Sequence, residues 1–111
     1  INRWFSESYL NTNPQVYNFF YNLLEKKKDK DFLPAYKIFV NSDQYSINYS
    51  NFKMPTLIMT GENEVGSTPL MSEGISNKIT NSHLYIIEDA KHGATIEKSN
   101  VVNDKLNKFL F

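Results

Sequence analysis

The chain has 111 residues, 41% of them apolar and 14% aromatic, which is enough for one modest domain with a core and too apolar for a disordered segment. Basic and acidic residues balance at 12 each, so the formal charge of zero provides no electrostatic footprint for nucleic acid or an anionic membrane surface. The absence of cysteine removes disulfides, thiolate metal sites and a cysteine nucleophile, and no apolar run approaches the roughly twenty residues that span a bilayer.

Asn13-Pro14 predicts a helix start, with the asparagine as side-chain cap and the proline at the first helical position. Behind it Val16, Phe19, Phe20, Leu23 and Leu24 recur at three- and four-residue spacing, an apolar stripe expected to be packing surface. The run Lys26, Lys27 and Lys28 falls where that helix should end, where its charge complements the helix dipole. A second helix is expected over about Asp31 to Asn41, with Pro34 in its first turn and Tyr36, Phe39 and Val40 facing inward. Ser42 to Ser50 is polar and reads as irregular. The boundary between a helical segment, 1–51, and a second unit, 52–111, falls there.

In the second unit, Thr56 to Thr60 and His83 to Ile87 are short, continuously apolar runs, as expected of neighbouring parallel strands buried on both faces. Between them Thr68-Pro69 repeats the cap-plus-proline start, and Met71, Ile75 and Ile79 supply a stripe. From about Ser99, Val102, Leu106, Phe109 and Leu110 predict a final helix over the sheet. Fold class is therefore α/β: a helical segment followed by a parallel strand-helix-strand-helix unit. Two strands cannot cover their own faces and edges, so the apolar faces and at least one open edge should be buried against a missing N-terminal part or a second copy of the chain. The start at Ile1 rather than methionine fits the expectation of a piece of a longer protein.

The chemistry gathers at the ends of those strands. His92, between Lys91 and Gly93 just past a buried strand, is placed as an exposed base. Glu64 follows the glycine turn after the first strand, and the intervening helix and strand can bring it beside His92, where a carboxylate would accept the Nδ1 proton and fix the tautomer. Glu62 competes for that role from two residues earlier. Glu88 and Asp89 suit loop hydrogen bonds better, Glu97 is expected to brace the loop, and His83 reads as structural. Two histidines at this spacing match no common zinc site, and Gly61 with Gly66 does not make a phosphate-cradling loop.

Pro55 to Glu64, with the sequence Pro-Thr-Leu-Ile-Met-Thr-Gly-Glu-Asn-Glu, resembles the strand and turn that carry the catalytic acid of α/β-hydrolases. Ala90 to Glu97 is similar to the loop that carries the family's histidine and a trailing glutamate, and the likeness continues through Phe109-Leu110. Arg3-Trp4-Phe5, Asn13-Pro14 and Asp43 resemble the cap helices of the 3-oxoadipate enol-lactonase-like branch. Two positions depart from the family pattern: glutamate stands at the acid position, and Lys91 precedes the histidine where glycine is usual.

The resemblance implies a partial α/β-hydrolase fold, with 1–51 as cap-like segment and 52–111 as the C-terminal part of the core. It implies hydrolysis of an ester, lactone or related carbonyl compound through a Ser-His-acid triad. His92 would be the base, Glu64 its orienter, and Trp4, Phe5 or the tyrosines of the first helix would line an apolar pocket. No cofactor or metal is implied. No Gly-x-Ser-x-Gly occurs, so the nucleophile must come from elsewhere and the chain alone is expected to be inert. The alternatives are a non-catalytic module pairing through its open sheet edge, or the same fold with a different nucleophile performing dehalogenation or carbon-carbon bond hydrolysis. The default location is the cytoplasm, with no nucleic-acid or membrane partner.

Overall fold

A computed structural model describes residues 1–27, 29–42 and 46–111; Lys28 of the basic run and Asp43 of the cap likeness lie outside the described residues. Among the described residues the chain is mixed α/β, with six helices and one two-stranded parallel sheet. In order these are α1 (Glu7–Thr12), α2 (Pro14–Glu25), α3 (Asp29–Val40), a 3-10 turn (Tyr49–Asn51), β1 (Thr56–Gly61), α4 (Pro69–Ser76), β2 (Ser82–Ile87), α5 (Ala94–Glu97) and α6 (Ser99–Leu110). None of the described helices is long and apolar enough to cross a membrane.

The strand-helix-strand-helix unit forms as its sequence pattern dictates. β1 and β2 pair in parallel, with Thr56 opposite Ser82 and Met59 opposite Tyr85. Thr68 caps α4, its hydroxyl accepting from the Met71 amide at 3.3 Å, a contact type that stabilises a helix by about 1 kcal/mol. Side chains alternate along a strand, so Met59, Tyr85 and Ile87 share one face. There Val102 of α6 joins Ile87, Ala90 and Ala94 in a small buried core, with Met59 and Tyr85 packed on it. Lys105 lies 4.1 Å over the Tyr85 ring, and Phe109 meets His83 edge-on at 6.1 Å. α4 belongs to the opposite face, where Ser82 Oγ is 2.9 Å from Ser76 Oγ and Thr60 Oγ1 donates to the Ser67 carbonyl.

Burial is thinner than the sequence predicts. Most strand residues are half-buried rather than enclosed on both faces, because α4 and α6 are each one short helix. Met71, Leu106 and Leu110 point to solvent, and α4 seats Ser72 instead. Both outer strand edges lack a ladder partner among the described residues.

The helical half differs more. Pro14 does open α2, but the Asn13 side chain makes no cap; it donates to the Tyr9 carbonyl at 3.0 Å and so closes α1, a helix the sequence pattern did not reveal. α3 begins at Asp29, which puts Pro34 inside it rather than in the first turn, at a cost of about 3 kcal/mol for the lost amide and the ring clash. Tyr36, Phe39 and Val40 face solvent, as does each residue from 32 to 40. On α2, Val16 and Phe20 are half-buried whereas Phe19, Leu23 and Leu24 are exposed. Lys27 sits 4.1 Å over the Phe32 ring just past the end of α2. The Cα radius of gyration of 16.3 Å exceeds the roughly 13 Å of a compact domain of this length.

An apolar surface this extensive should self-associate in water. Sedimentation of the purified chain at micromolar concentration should show species heavier than a monomer, and Phe39→Lys, at a position 71% exposed, should shift the distribution toward monomer. A sharp monomer at every concentration would show the stripe to be tolerated by solvent.

Candidate functional site

Parallel pairing brings the carboxyl ends of β1 and β2 side by side, and backbone hydrogen bonds continue beyond the ladder. Glu62 N donates to Ile87 O at 2.9 Å and Asn63 N to Ala90 O at 2.8 Å. Gly61 permits the approach: a Cβ there would lie 2.4 Å from the Ala90 carbonyl oxygen and 2.6 Å from that of Lys91. Asp89 adopts φ 52°, in the left-handed region that a short polar side chain tolerates, and its amide donates to Glu62 Oε2 at 3.0 Å.

With the loops joined, Glu64 Oε2 lies 2.5 Å from His92 Nδ1. The two side chains differ sharply in environment, the imidazole being 60% exposed and the carboxylate only 4%. Glu64 Oε1 accepts from the Gly66 amide at 2.6 Å, so the acid is held from both sides. Burial acts most strongly on this carboxyl and pushes it toward the protonated form. The Gly66 amide, the His92 hydrogen bond and charge, and the Ser67 amide together outweigh burial and hold it below its ordinary value of 4.5. Glu64 is thus an anion at neutral pH. The Nδ1 proton is donated to it, which leaves Nε2 as the nitrogen with a free lone pair. Among the described residues Nε2 has no hydrogen-bond partner.

Glu62, the competing acid, is committed to the Asp89 amide and does not reach His92. Glu97 braces the loop as expected, and it lies in α5, where the sequence reading placed only loop. Its buried carboxylate accepts from Ser6 N at 3.0 Å and Lys91 N at 3.3 Å. Two further bonds tie the N-terminal segment to this loop, Gly93 N to Trp4 O at 2.6 Å and Lys91 Nζ to Asn2 O at 2.8 Å. Phe5, 1% exposed, packs where any Cβ on Gly93 would stand. The bracing role of Asn2, Trp4 and Ser6 had no readable signal, because they act through backbone atoms or accept from a residue far along the chain. His83 lies at the other end of β2 against Phe109, apart from the pair.

Two cavities adjoin the pair. One of about 200 Å³ includes Glu64, His92, Thr60 and Ser67. The other, an open groove of about 370 Å³, runs past His92 between Trp4, Phe20 and Ile96. A larger hollow of about 450 Å³ lies between α1 and α2, and neither Glu64 nor His92 lines it. The predicted aromatic lining is divided: Phe5 is core, Trp4 and Phe20 flank the groove, and Tyr17 and Tyr21 stack together at 6.1 Å. Among the described residues no three histidines or carboxylates converge as a metal site. No protein-family model matches the chain, and no curated protein matches it at a significant level.

Two measurements check this geometry. A carboxylate whose folded-state pKa is depressed contributes stability that is present above its unfolded value and lost as pH falls through the folded one. Denaturant midpoints should therefore fall on acidification below about 4.5, and Glu64→Gln should flatten that part of the profile; an unchanged slope would place the titrating carboxylate elsewhere. Gly61→Ala must push against two backbone carbonyls, so it should destabilise the chain by about 1–3 kcal/mol in chemical denaturation and weaken the Glu64–His92 hydrogen bond seen by NMR.

Proposed function

We propose that this chain is the acid- and histidine-bearing portion of an α/β-hydrolase that cleaves an ester, lactone or related carbonyl substrate. The observation that carries the reading is the 2.5 Å contact of Glu64 with His92 Nδ1 at the carboxyl ends of adjacent parallel strands. In the complete site a serine supplied from outside these 111 residues attacks the carbonyl. His92 Nε2 takes the serine proton and returns it to the leaving alcohol, while Glu64 holds the tautomer and offsets the imidazolium charge. The oxyanion donors also come from outside, since no Gly-x-Ser-x-Gly lies within the chain. The groove beside Trp4 and Phe20 receives the apolar part of the substrate. The reaction needs no cofactor or metal, and the cytoplasm is the location proposed.

On this reading the open edge of β1 and the exposed helical stripe dock on the remainder of the hydrolase or on a second copy. A different reading draws on the same open edges: a non-catalytic module that pairs through β1 or β2 with another chain.

A fluorophosphonate probe separates them. Expressed with its natural upstream sequence retained, the protein should be phosphonylated at a serine. His92→Ala should abolish labelling and lower ester turnover by a factor on the order of 10⁴, with His83→Ala nearly silent. A protein with no reactive serine would favour the pairing module, and an aspartate acylated or alkylated in its place would keep the fold and change the reaction.

A further inference from the structure

We propose that the 111-residue chain itself, without a serine nucleophile, hydrolyses activated aryl esters of apolar acids, using His92 Nε2 as nucleophile and Glu64 as its positioning residue.

Three features converge on that nitrogen. The imidazole is 60% exposed, so an ester carbonyl can reach it, while the carboxylate behind it is 4% exposed and ionised. The Nδ1 proton is donated to Glu64 at 2.5 Å, which keeps the lone pair on Nε2 and places a negative charge against the ring that becomes cationic on acylation. The open groove of about 370 Å³ flanked by Trp4, Phe20 and Ile96 begins at the same ring, so an apolar acyl chain lying in it holds its carbonyl near Nε2. His83 serves as an internal contrast, being exposed on β2, the strand that leads to the His92 loop, but with a phenyl ring rather than a carboxylate as its neighbour.

The reaction balances with water alone. Nε2 donates its electron pair to the ester carbonyl carbon, the carbon–oxygen bond to the aryl group breaks, and aryloxide departs with that pair. The resulting N-acyl imidazolium keeps its proton on Nδ1, donated in a hydrogen bond to the Glu64 carboxylate. Water then adds to the acyl carbon, the carbon–nitrogen bond breaks, and the carboxylic acid leaves with neutral His92 restored and a proton released to solvent. An aryloxide departs without protonation, whereas an alkoxide needs an acid and an oxyanion hole. The activity is therefore confined to activated esters, and ordinary esters stay inert to the isolated chain.

The test is nitrophenolate release from 4-nitrophenyl acetate, butyrate and octanoate by the purified chain. The rate should exceed that of His92→Ala by roughly 10- to 100-fold, at or below the roughly 100-fold lower bound of what a positioned acid–base group contributes. It should be unchanged in His83→Ala and rise with acyl length, and Phe20→Ala should lower the octanoate rate more than the acetate rate. Glu64→Gln should slow release at saturating ester with KM little changed, as a positioning role requires and a loss of binding would not. Mass spectrometry of wild-type protein quenched early should find the acyl group on His92, and hydroxylamine should intercept it as the hydroxamate. Equal rates in wild type and His92→Ala, or acyl groups on lysine or His83 instead, would overturn the proposal. The adduct map decides even if a variant fails to fold. None of this needs a serine, so its failure leaves the fluorophosphonate result untouched.

Discussion

Two backbone hydrogen bonds, Glu62 N to Ile87 O and Asn63 N to Ala90 O, carry the pairing of β1 with β2 past the last ladder residues and fasten one loop to the other. Everything chemical in this chain depends on that closure. Side-chain reach alone would allow Glu64 and His92 many relative positions, each costing conformational entropy to select. With the main chains joined a few residues away, and with Gly66 and Ser67 amides gripping the same carboxylate, one arrangement remains. A residue with no side chain at Gly61 is the condition for it, because the carbonyl oxygens of Ala90 and Lys91 occupy the space a Cβ would need.

The loop bearing His92 is held from its other flank by the start of the chain. Asn2, Trp4 and Ser6 contribute two acceptors and one donor, and Glu97 joins the Ser6 amide to the Lys91 amide across the turn. A buried carboxylate is costly unless its charge is met by hydrogen bonds, and two backbone amides meet it here. The consequence is mechanical. The segment that leads into α1 and α2 cannot move without pulling on the histidine loop, so the helical half and the proposed catalytic base are coupled through main-chain atoms. The groove at Trp4 and Phe20 lies along that seam.

What could be read from the sequence follows the range over which each interaction acts. The strands, the capped start of α4 at Thr68-Pro69 and the helix from Ser99 rest on local pattern, and each lies within a residue or two of its expected place. The Glu64–His92 pair was legible for a related reason, since one crossover fixes which loops become neighbours. Asn13 shows the limit: its side chain had two helices to serve, and it closes α1 behind it rather than capping α2 ahead. Pro34 shows another, because α3 begins two residues earlier than the proline's preference implied. The apolar residues of α2 and α3 were expected to face inward and most of them face solvent, because periodicity says only which face seeks cover and not whether the same chain supplies it. Tyr36 and Phe39 find part of that cover in each other, with ring centroids 6.1 Å apart, and remain open to water.

These halves therefore differ in how far they complete themselves. The strand-end site stands on its own small core of Ile87, Ala90, Ala94 and Val102, which sits directly behind the histidine loop and contains no residue of α1, α2 or α3. The helical half draws its anchorage from that unit, through Phe5 against Gly93 and the ring contacts of Phe5 and Trp4 with Phe20, at 5.3 and 5.6 Å. Beyond Phe20 the described contacts with that unit are thinner, such as Lys78 at 5.1 Å over the Tyr49 ring, and Ile38 and Phe39 of α3 are each more than 70% exposed. Whatever surface covers that stripe will change the stability of the helices and access to the groove. The tautomer of His92 is set by a carboxylate and two amides within one loop closure, whereas the position of its loop is shared with the segment that leads into the helices.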